Sequence, residues 1–272
     1  MPNERYQLED LLRIMQRLRD PDRGCPWDLR QNFQSLVPST LEECYELAAA
    51  IEAGDYDHVA EELGDVLFQV VFYAQLGSER SLFDFQRIVH TLADKLVRRH
   101  PHVFAGGAIE GVVRGELDEE AVKAQWESIK QAERRARDQH HALADVPLAL
   151  PALPRAQKLQ QRAARVGFDW DGAQGVLERL AEELVELRAA VATADRDAVE
   201  EEMGDVLFTC VNLARQLQVD GESALRGAAR KFEERFSAME DAAGEAGERL
   251  EDLDRGALEA RWLQAKAALR GA

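Results

Sequence analysis

The chain has 272 residues, of which 46% are hydrophobic and 31% charged, and its formal net charge at pH 7 is −17. Such a surface repels the phosphates of nucleic acids and of anionic membranes, so DNA, RNA and lipid bilayers are poor candidate partners. No apolar run approaches the ~20 residues of a membrane span. The N-terminal segment lacks the apolar core of a signal peptide, and the three cysteines show no CxxC spacing. Together these features predict a cytoplasmic protein.

The first informative element is a helical hairpin between residues 40 and 68. Apolar residues recur at helical spacing on both sides of the segment "GDYD" (residues 54–57), which has the composition of a turn. The pattern predicts one helix ending near Ala53 and a second beginning near His58. Ser39 and Glu42 also fit a capping box at the start of the first helix.

Four acidic residues of this hairpin predict a metal site: Glu43 and Glu46 in "EECYE", and Glu62 and Asp65 in "EELGD". Residues three apart share a helix face, and the distances of the two pairs from the turn differ by only ~4.5 Å along antiparallel helices. Converging carboxylates without His or Cys favour Mg²⁺ or Mn²⁺, whereas a di-iron site would require ExxH motifs. The alternative for any single EExxE is a solvated helix face.

Further along, residues 83–100 predict another helix, and the Gly-rich stretch 105–120 predicts a loop. Three prolines then interrupt residues 141–156, which favours a linker. We therefore expect an N-terminal helical domain over residues 1–140, a linker over 141–156 and a C-terminal helical domain over 157–272. No segment shows the alternating pattern of a strand, so the fold class is predicted to be all-α.

The C-terminal domain repeats the N-terminal one. Residues 40–68 align without a gap on residues 180–208, with 16 of 29 positions identical. The acidic set recurs there as Glu183, Glu186, Glu202 and Asp205. A basic and aromatic set also recurs, with Lys95, Arg99, Trp126 and Lys130 aligned on Lys231, Arg235, Trp262 and Lys266. This recurrence favours the metal site over the solvated-face interpretation.

The second set suits phosphate recognition, with alternatives open for each residue. Lys231 and Arg235 lie four apart on one helix face and can contact phosphate, or they can form surface salt bridges with Glu233 or Glu234. Trp262 can stack on a base or pack in a core. Lys266 is a phosphate candidate or a solvated charge.

The doubled EExxE and EELGD or EEMGD motifs resemble those of the MazG family of nucleoside triphosphate pyrophosphohydrolases, within the all-α NTP pyrophosphatase superfamily. The resemblance covers nearly the whole chain, from "RLRDPDRGCPWD" to the final Trp-x-x-x-Lys. It implies a homodimer of helical bundles and Mg²⁺-dependent cleavage of nucleoside triphosphates between the α and β phosphates, broad in base and linked to nucleotide-pool housecleaning or stress. It also implies catalysis mainly in the C-terminal copy, with metal ligands and substrate contacts as follows: Glu183, Glu186, Glu202 and Asp205 for the metal, and Arg179, Lys231, Arg235, Trp262 and Lys266 for the substrate.

Glu182 and Glu201 are the candidate bases that orient the attacking water, beside Glu183. In the first copy Ser39 stands where the second has Arg179, yet Glu43, Glu46, Glu62 and Asp65 remain as a possible second metal site. Two alternatives to a broad pyrophosphohydrolase stay open. One is a narrower superfamily member, acting on dUTP or phosphoribosyl-ATP, and the other is a nucleotide-sensing dimeric scaffold without hydrolysis.

Overall fold

A computed structural model of the chain describes residues 5–111, 118–136 and 141–269. Its regular secondary structure in these ranges is helical without strands, which confirms the all-α prediction. None of the helices in the described ranges has the length and apolarity needed to cross a membrane. The helices are α1 (Leu8–Leu18), α2 (Pro26–Arg30), α3 (Val37–Ala53), α4 (Tyr56–Glu79), α5 (Phe85–Arg99), α6 (Glu119–Ala136), α7 (Ala152–Ala164), α8 (Gly172–Thr193), α9 (Arg196–Gln216), α10 (Gly221–Glu245) and α11 (Arg255–Ala268).

The backbone divides into two compact units between Ala132 and Glu133, within α6. Helix α7 begins at Ala152, inside the stretch where we expected a linker. Pro154 is accommodated because it lies in the first turn, where backbone N–H groups have no partner within the helix. The predicted loop at 105–120 contains a short 3₁₀ turn, Ala105–Gly107, and its central part, 112–117, lies outside the described residues.

In the first unit, α3 and α4 form the predicted hairpin, and α1 and α5 pack against α4. Gly54 ends α3 with φ of 72°, a left-handed conformation that glycine adopts without steric cost. Helix α4 begins at Tyr56, two residues earlier than predicted, because Asp55 caps it by accepting a hydrogen bond from the backbone N–H of His58. The capping box at Ser39 is wrong, since α3 already begins at Val37 and Ser39 lies within its first turn.

The core of the first unit is apolar. It consists of Met15 from α1, Leu36, and three residues of α4, namely Val71, Phe72 and Leu76. Phe72 has no exposed surface. Burying a side chain of this size removes enough apolar area from water to contribute about 1.5–3 kcal/mol to stability, so this cluster fixes α1 against the hairpin.

The second unit repeats the arrangement with α8 and α9 as the hairpin and α7 and α10 against α9, while α11 packs on α10. Its core differs in character. Helix α9 buries Val211 together with two polar residues, Thr209 and Asn212. The repeat places Asn212 at the position that Phe72 occupies in the first unit.

Candidate metal centre

The second hairpin brings three carboxylates together. One oxygen from each of Glu183 and Glu186 on α8 and Glu202 on α9 lies within 4.8 Å of the others. They meet because the i, i+3 spacing puts the α8 pair on one face and the antiparallel return of α9 places Glu202 opposite that face. Three carboxylates at this spacing offer the hard oxygen ligands that divalent cations such as Mg²⁺ and Mn²⁺ prefer.

Burial makes this cluster unusual. Glu183 is only 3% exposed, although glutamate is rarely buried without a partner. One oxygen of Glu183 and one of Glu202, Oε2 in each case, are buried without a hydrogen-bond partner among the described residues. A buried carboxylate oxygen without a partner costs free energy, which a bound cation would offset.

Arg179, one turn before Glu183 on α8, supplies the positive charge of this cluster. Its Nε lies 2.7 Å from Glu183 Oε1, its Nη1 2.9 Å from Glu182 Oε2, and its Nη2 3.8 Å from Glu186 Oε2. The guanidinium thus engages Oε1 of Glu183, and the described residues offer no hydrogen-bond partner to Oε2. The hydrogen bond to Glu182 holds a second carboxylate, one of the two candidate bases, beside the cluster.

The pKa values of the cluster record its crowding. Burial raises the pKa of Glu183 above its ordinary value, and Arg179 opposes this shift while the charges of Asp205 and Glu186 add to it. Burial also raises the pKa of Glu202, with further contributions from Glu186, Asp205 and Glu201. The neighbouring carboxylate charges and burial thus disfavour the ionised form of both glutamates, and a cation beside them would favour it.

Asp205 does not belong to the group of three residues whose oxygens lie within 4.8 Å of one another. Its charge nevertheless raises the pKa of Glu183 and of Glu202. Glu201 is exposed and likewise acts through its charge. The assignment of Asp205 as a ligand and of Glu182 or Glu201 as a base therefore stays a prediction.

The first hairpin forms the matching group, with oxygens of Glu43, Glu46 and Glu62 within 4.8 Å of one another. Glu62 is 7% exposed, and its Oε2 has no hydrogen-bond partner in the described part of the chain. Burial raises the pKa of Glu43, and the charge of Asp65 adds to the shift. Asp65 is not one of these three residues, just as Asp205 is not part of the corresponding group in the second copy.

The two copies differ in the cation that balances the acids. The first copy has Ser39 where the second has Arg179, and its buried glutamate pairs instead with His58, whose Nε2 lies 2.7 Å from Glu62 Oε1. The site predicted from the sequence did not include His58. Its position four residues before Glu62 on a predicted helix was the available signal, since residues at this spacing face each other.

The predicted phosphate and base contacts lie on α10 and α11. Lys231 is exposed, and Arg235 and Lys266 are half-buried. None of the ion pairs within the described ranges joins Lys231, Arg235 or Lys266 to the three carboxylates. Trp262 packs against Phe232, with ring centroids 5.3 Å apart. Their roles as substrate contacts therefore stay predictions.

Comparison with known proteins shows that both hairpins match the same protein family. The model of a family described as the MazG nucleotide pyrophosphohydrolase domain matches residues 31–104 and 172–239, once in each copy. The chain is 48% identical over 262 residues to a nucleoside triphosphate pyrophosphohydrolase of Escherichia coli (strain K12), covering 96% of this chain and 97% of that protein. It is 45% identical over 258 residues to a nucleoside triphosphate pyrophosphohydrolase/pyrophosphatase MazG of Thermotoga maritima, covering 95% of each. A nucleoside triphosphate pyrophosphohydrolase of Mycolicibacterium smegmatis is 37% identical over 169 residues, covering 61% of this chain and 48% of that protein.

Proposed function

The chain belongs to the MazG family of nucleotide pyrophosphohydrolases, and on that premise we propose that it cleaves nucleoside triphosphates between the α and β phosphates. The products are a nucleoside monophosphate and pyrophosphate. The observation that carries this proposal is the buried Glu183, which lies in a group of three carboxylates and keeps one oxygen without a partner among the described residues. We propose broad base specificity and a role in nucleotide-pool housecleaning or stress.

A divalent cation, Mg²⁺ or in its place Mn²⁺, fits the residues present. Glu183, Glu186 and Glu202 would hold it, with Asp205 as a further candidate ligand, and the donor set contains only carboxylate oxygens. When bound, the cation supplies positive charge to the phosphate oxygens and lowers the pKa of a water molecule. The net charge of −17 makes such a cation the natural bridge between this acidic protein and an anionic substrate.

Side chains of the protein itself would bind the phosphates, accept a proton and balance the charge of the leaving group. Arg179 would donate hydrogen bonds to phosphate oxygens of the substrate, because its guanidinium lies beside the carboxylates that would hold the cation. Glu182 or Glu201 accepts the proton of the attacking water. Lys231 and Arg235, four residues apart on α10, offset the negative charge that grows on the pyrophosphate leaving group.

We propose that the first copy binds a cation without efficient turnover. Its carboxylates close to the same separation, but a serine replaces the guanidinium beside them. His58 gives its buried glutamate a weaker partner that is charged only when protonated. The cation would thus stabilise the first unit, while the second copy performs the reaction.

A homodimer is part of the proposal. Both hairpins have large apolar side chains at helical spacing that the described residues of one chain leave exposed. In the first unit these include Leu41, Tyr45, Leu63 and Leu67, and in the second they include Leu184, Val191, Met203 and Leu207. Multi-angle light scattering is expected to give twice the chain mass, and a monomer at micromolar concentration would contradict this part. We also propose a cytoplasmic location, with which three cysteines free of disulfides are compatible.

The proposed reaction is tested by measuring pyrophosphate release from a panel of NTPs and dNTPs with Mg²⁺. Release from several bases supports a broad pyrophosphohydrolase. Release from dUTP or phosphoribosyl-ATP alone would identify the narrower superfamily activities. Tight nucleotide binding without pyrophosphate release would identify a sensor or scaffold instead.

A further inference from the structure

His58 distinguishes the acidic cluster of the first copy from that of the second. Its Nε2 lies 2.7 Å from Oε1 of Glu62, four residues later on α4. The repeat aligns His58 with Ala198, so the second copy has no imidazole at this position. The second cluster is instead contacted by Arg179, whose guanidinium donates hydrogen bonds but has no lone pair with which to bind a metal. The two copies therefore differ in the atoms that can coordinate a cation.

Glu62 needs a partner beyond His58. It is 7% exposed, and its Oε2 is buried without a hydrogen-bond partner in the described part of the chain. The contact with His58 engages only Oε1. Glu43 and Glu46 bring further carboxylate oxygens to within 4.8 Å, and none of the ion pairs within the described ranges joins an arginine or lysine to this cluster. A cation beside Glu62 would balance these charges and provide the missing partner.

The backbone of His58 is fixed, whereas its ring reaches solvent. The side chain of Asp55 caps α4 by accepting a hydrogen bond from the backbone N–H of His58 at 3.2 Å. This cap holds His58 in the first turn of the helix, one turn before Glu62. The side chain of His58 is 50% exposed, whereas that of Glu62 is 9% exposed. The imidazole thus lies on the path from solvent to the buried carboxylate, and a metal site needs such an entry path.

The imidazole nitrogen changes the metal that the first cluster prefers. Imidazole binds Zn²⁺ and other first-row transition metals, whereas Mg²⁺ prefers oxygen ligands and retains several water molecules. Zinc lies ~2.0–2.2 Å from its nitrogen and carboxylate ligands. The separation of His58 Nε2 from Glu62 Oε1 is therefore short enough for both atoms to contact one ion. His58 is not one of the three residues of the carboxylate group, but it extends this group through Glu62.

We infer that the first copy binds a transition metal such as Zn²⁺, with His58 as its nitrogen ligand beside the three carboxylates, while the second copy takes Mg²⁺. The inference rests on the proposed function, in which the first copy holds a cation, and it specifies that cation. Structural zinc has four protein ligands, whereas catalytic zinc keeps one position open. The ion would therefore join α3 to α4 and leave no position for a phosphate, which agrees with turnover in the second copy alone.

The test is isothermal titration of Zn²⁺ into the metal-free, full-length chain in the presence of millimolar Mg²⁺, which occupies the second cluster. We expect one tightly bound Zn²⁺ per chain. His58→Ala should weaken Zn²⁺ binding at least about tenfold, since even the loss of a group that only hydrogen-bonds a metal ligand has an effect of this size. The Mg²⁺ affinity of the first cluster, measured without Zn²⁺, should change less. His90→Ala removes another exposed histidine and is the matched control, with unchanged Zn²⁺ binding.

The converse variant transfers the site to the second copy. Ala198→His combined with Arg179→Ser gives the second cluster the residues that accompany the first. We expect this double variant to bind a second Zn²⁺ per chain under the same conditions. The ring nitrogens of His58 should also shift in ¹⁵N nuclear magnetic resonance spectra when Zn²⁺ is added to the wild type. Absence of both changes would contradict the role of the imidazole as a ligand.

Equal losses of Zn²⁺ and Mg²⁺ affinity in His58→Ala would overturn the inference, because His58 would then only position Glu62. Zn²⁺ binding that survives in His58→Ala and disappears in His100→Ala would also overturn it, and would place the ion at the neighbouring rings of His100 and His102. If the first cluster binds Mg²⁺ without preferring Zn²⁺, this inference alone fails. If Glu43→Gln changes the binding of neither ion, the proposed cation site of the first copy fails as well. Pyrophosphate release is measured separately and tests the proposed reaction.

Discussion

The guanidinium of Arg179 contacts Glu183 at 2.7 Å, one helical turn away, and engages only one of its two carboxylate oxygens. In the first copy the corresponding residues are Ser39 and Glu43, and no such contact is possible. Both copies therefore contain the carboxylates of a cation site. Only the second copy has an arginine at this position, which can contact either these carboxylates or a phosphate of the substrate.

Replacing Arg179 with serine, as in the first copy, separates these two roles. We expect Arg179→Ser to lower kcat/KM for nucleoside triphosphates by about 10- to 100-fold, because charge-assisted hydrogen bonds to phosphate are lost. Affinity for Mn²⁺, followed by electron paramagnetic resonance, should not fall, since a positive charge next to the cation has been removed. Ser39→Arg in the first copy is the matched control and should leave turnover unchanged. Weaker Mn²⁺ binding with normal kinetics would contradict this role of Arg179.

Cation binding should stabilise the protein. A ligand that binds only the native state adds about 2.7 kcal/mol at a concentration one hundred times its dissociation constant. We expect Mg²⁺ to raise the melting temperature above that of EDTA-treated protein at equal ionic strength. Glu183→Gln should reduce the rise, because it removes one of the three closing carboxylates. An equal rise in wild type and Glu183→Gln would mean that the stabilising cation does not bind at the second cluster.

Stability in acid should depend on Glu79, which belongs to neither carboxylate cluster. Arg19, with only 8% of its side chain exposed, donates two hydrogen bonds to Glu79, at 2.7 and 2.6 Å. The hydrogen bonds from Arg19 lower the pKa of Glu79 below its ordinary value. The pair therefore contributes its full stabilisation at pH values above the pKa of the unfolded chain, and this contribution is lost as the pH falls through the pKa of the folded state.

The variant Glu79→Gln should thus lower the free energy of unfolding by about 1–3 kcal/mol at pH 7. The difference from wild type should shrink as the pH falls below the carboxylate range. Urea unfolding at pH 7 and in acid measures both values. A cost that is the same at all pH values would show that Glu79 acts through packing and not through its charge.

The contrast between the two cores predicts unequal costs of mutation. Phe72→Ala leaves a cavity in a close-packed cluster and should cost about 3–5 kcal/mol. Asn212→Leu at the repeat position should cost less, because removing a buried donor that has no partner in the described ranges partly offsets the loss of two hydrogen bonds from Arg215. Chemical denaturation of both variants tests the comparison, and an equal loss would mean that the second unit packs around Asn212 as tightly as the first does around Phe72.

The hairpins and their acids could be predicted from the sequence because both depend on short-range periodicity. The spacing of Glu183 and Glu186 fixes their common face, and the repeat excludes coincidence. The start of α3 was not predicted correctly. The helix begins at Val37 and includes Pro38, because proline is tolerated in the first turn of a helix.

The polar core of the second unit depends on contacts that no local pattern encodes. Gln160 reaches the backbone of Phe208 only because α7 packs on α9 across 48 residues of sequence. One signal was nevertheless present in the repeat, because Phe72 and Asn212 occupy the same position in the two copies. An amide in place of an apolar residue at such a position indicates that the two cores differ.

Pyrophosphate release in matched variants of the two acidic clusters tests the central claim most directly. Glu183→Gln and Glu43→Gln change one carboxylate to an amide at the same position of the repeat. We predict that Glu183→Gln lowers turnover of nucleoside triphosphates by about 10²-fold or more, whereas Glu43→Gln keeps most of the wild-type rate. Equal loss in both variants, or wild-type turnover in Glu183→Gln, would contradict the assignment of catalysis to the second copy.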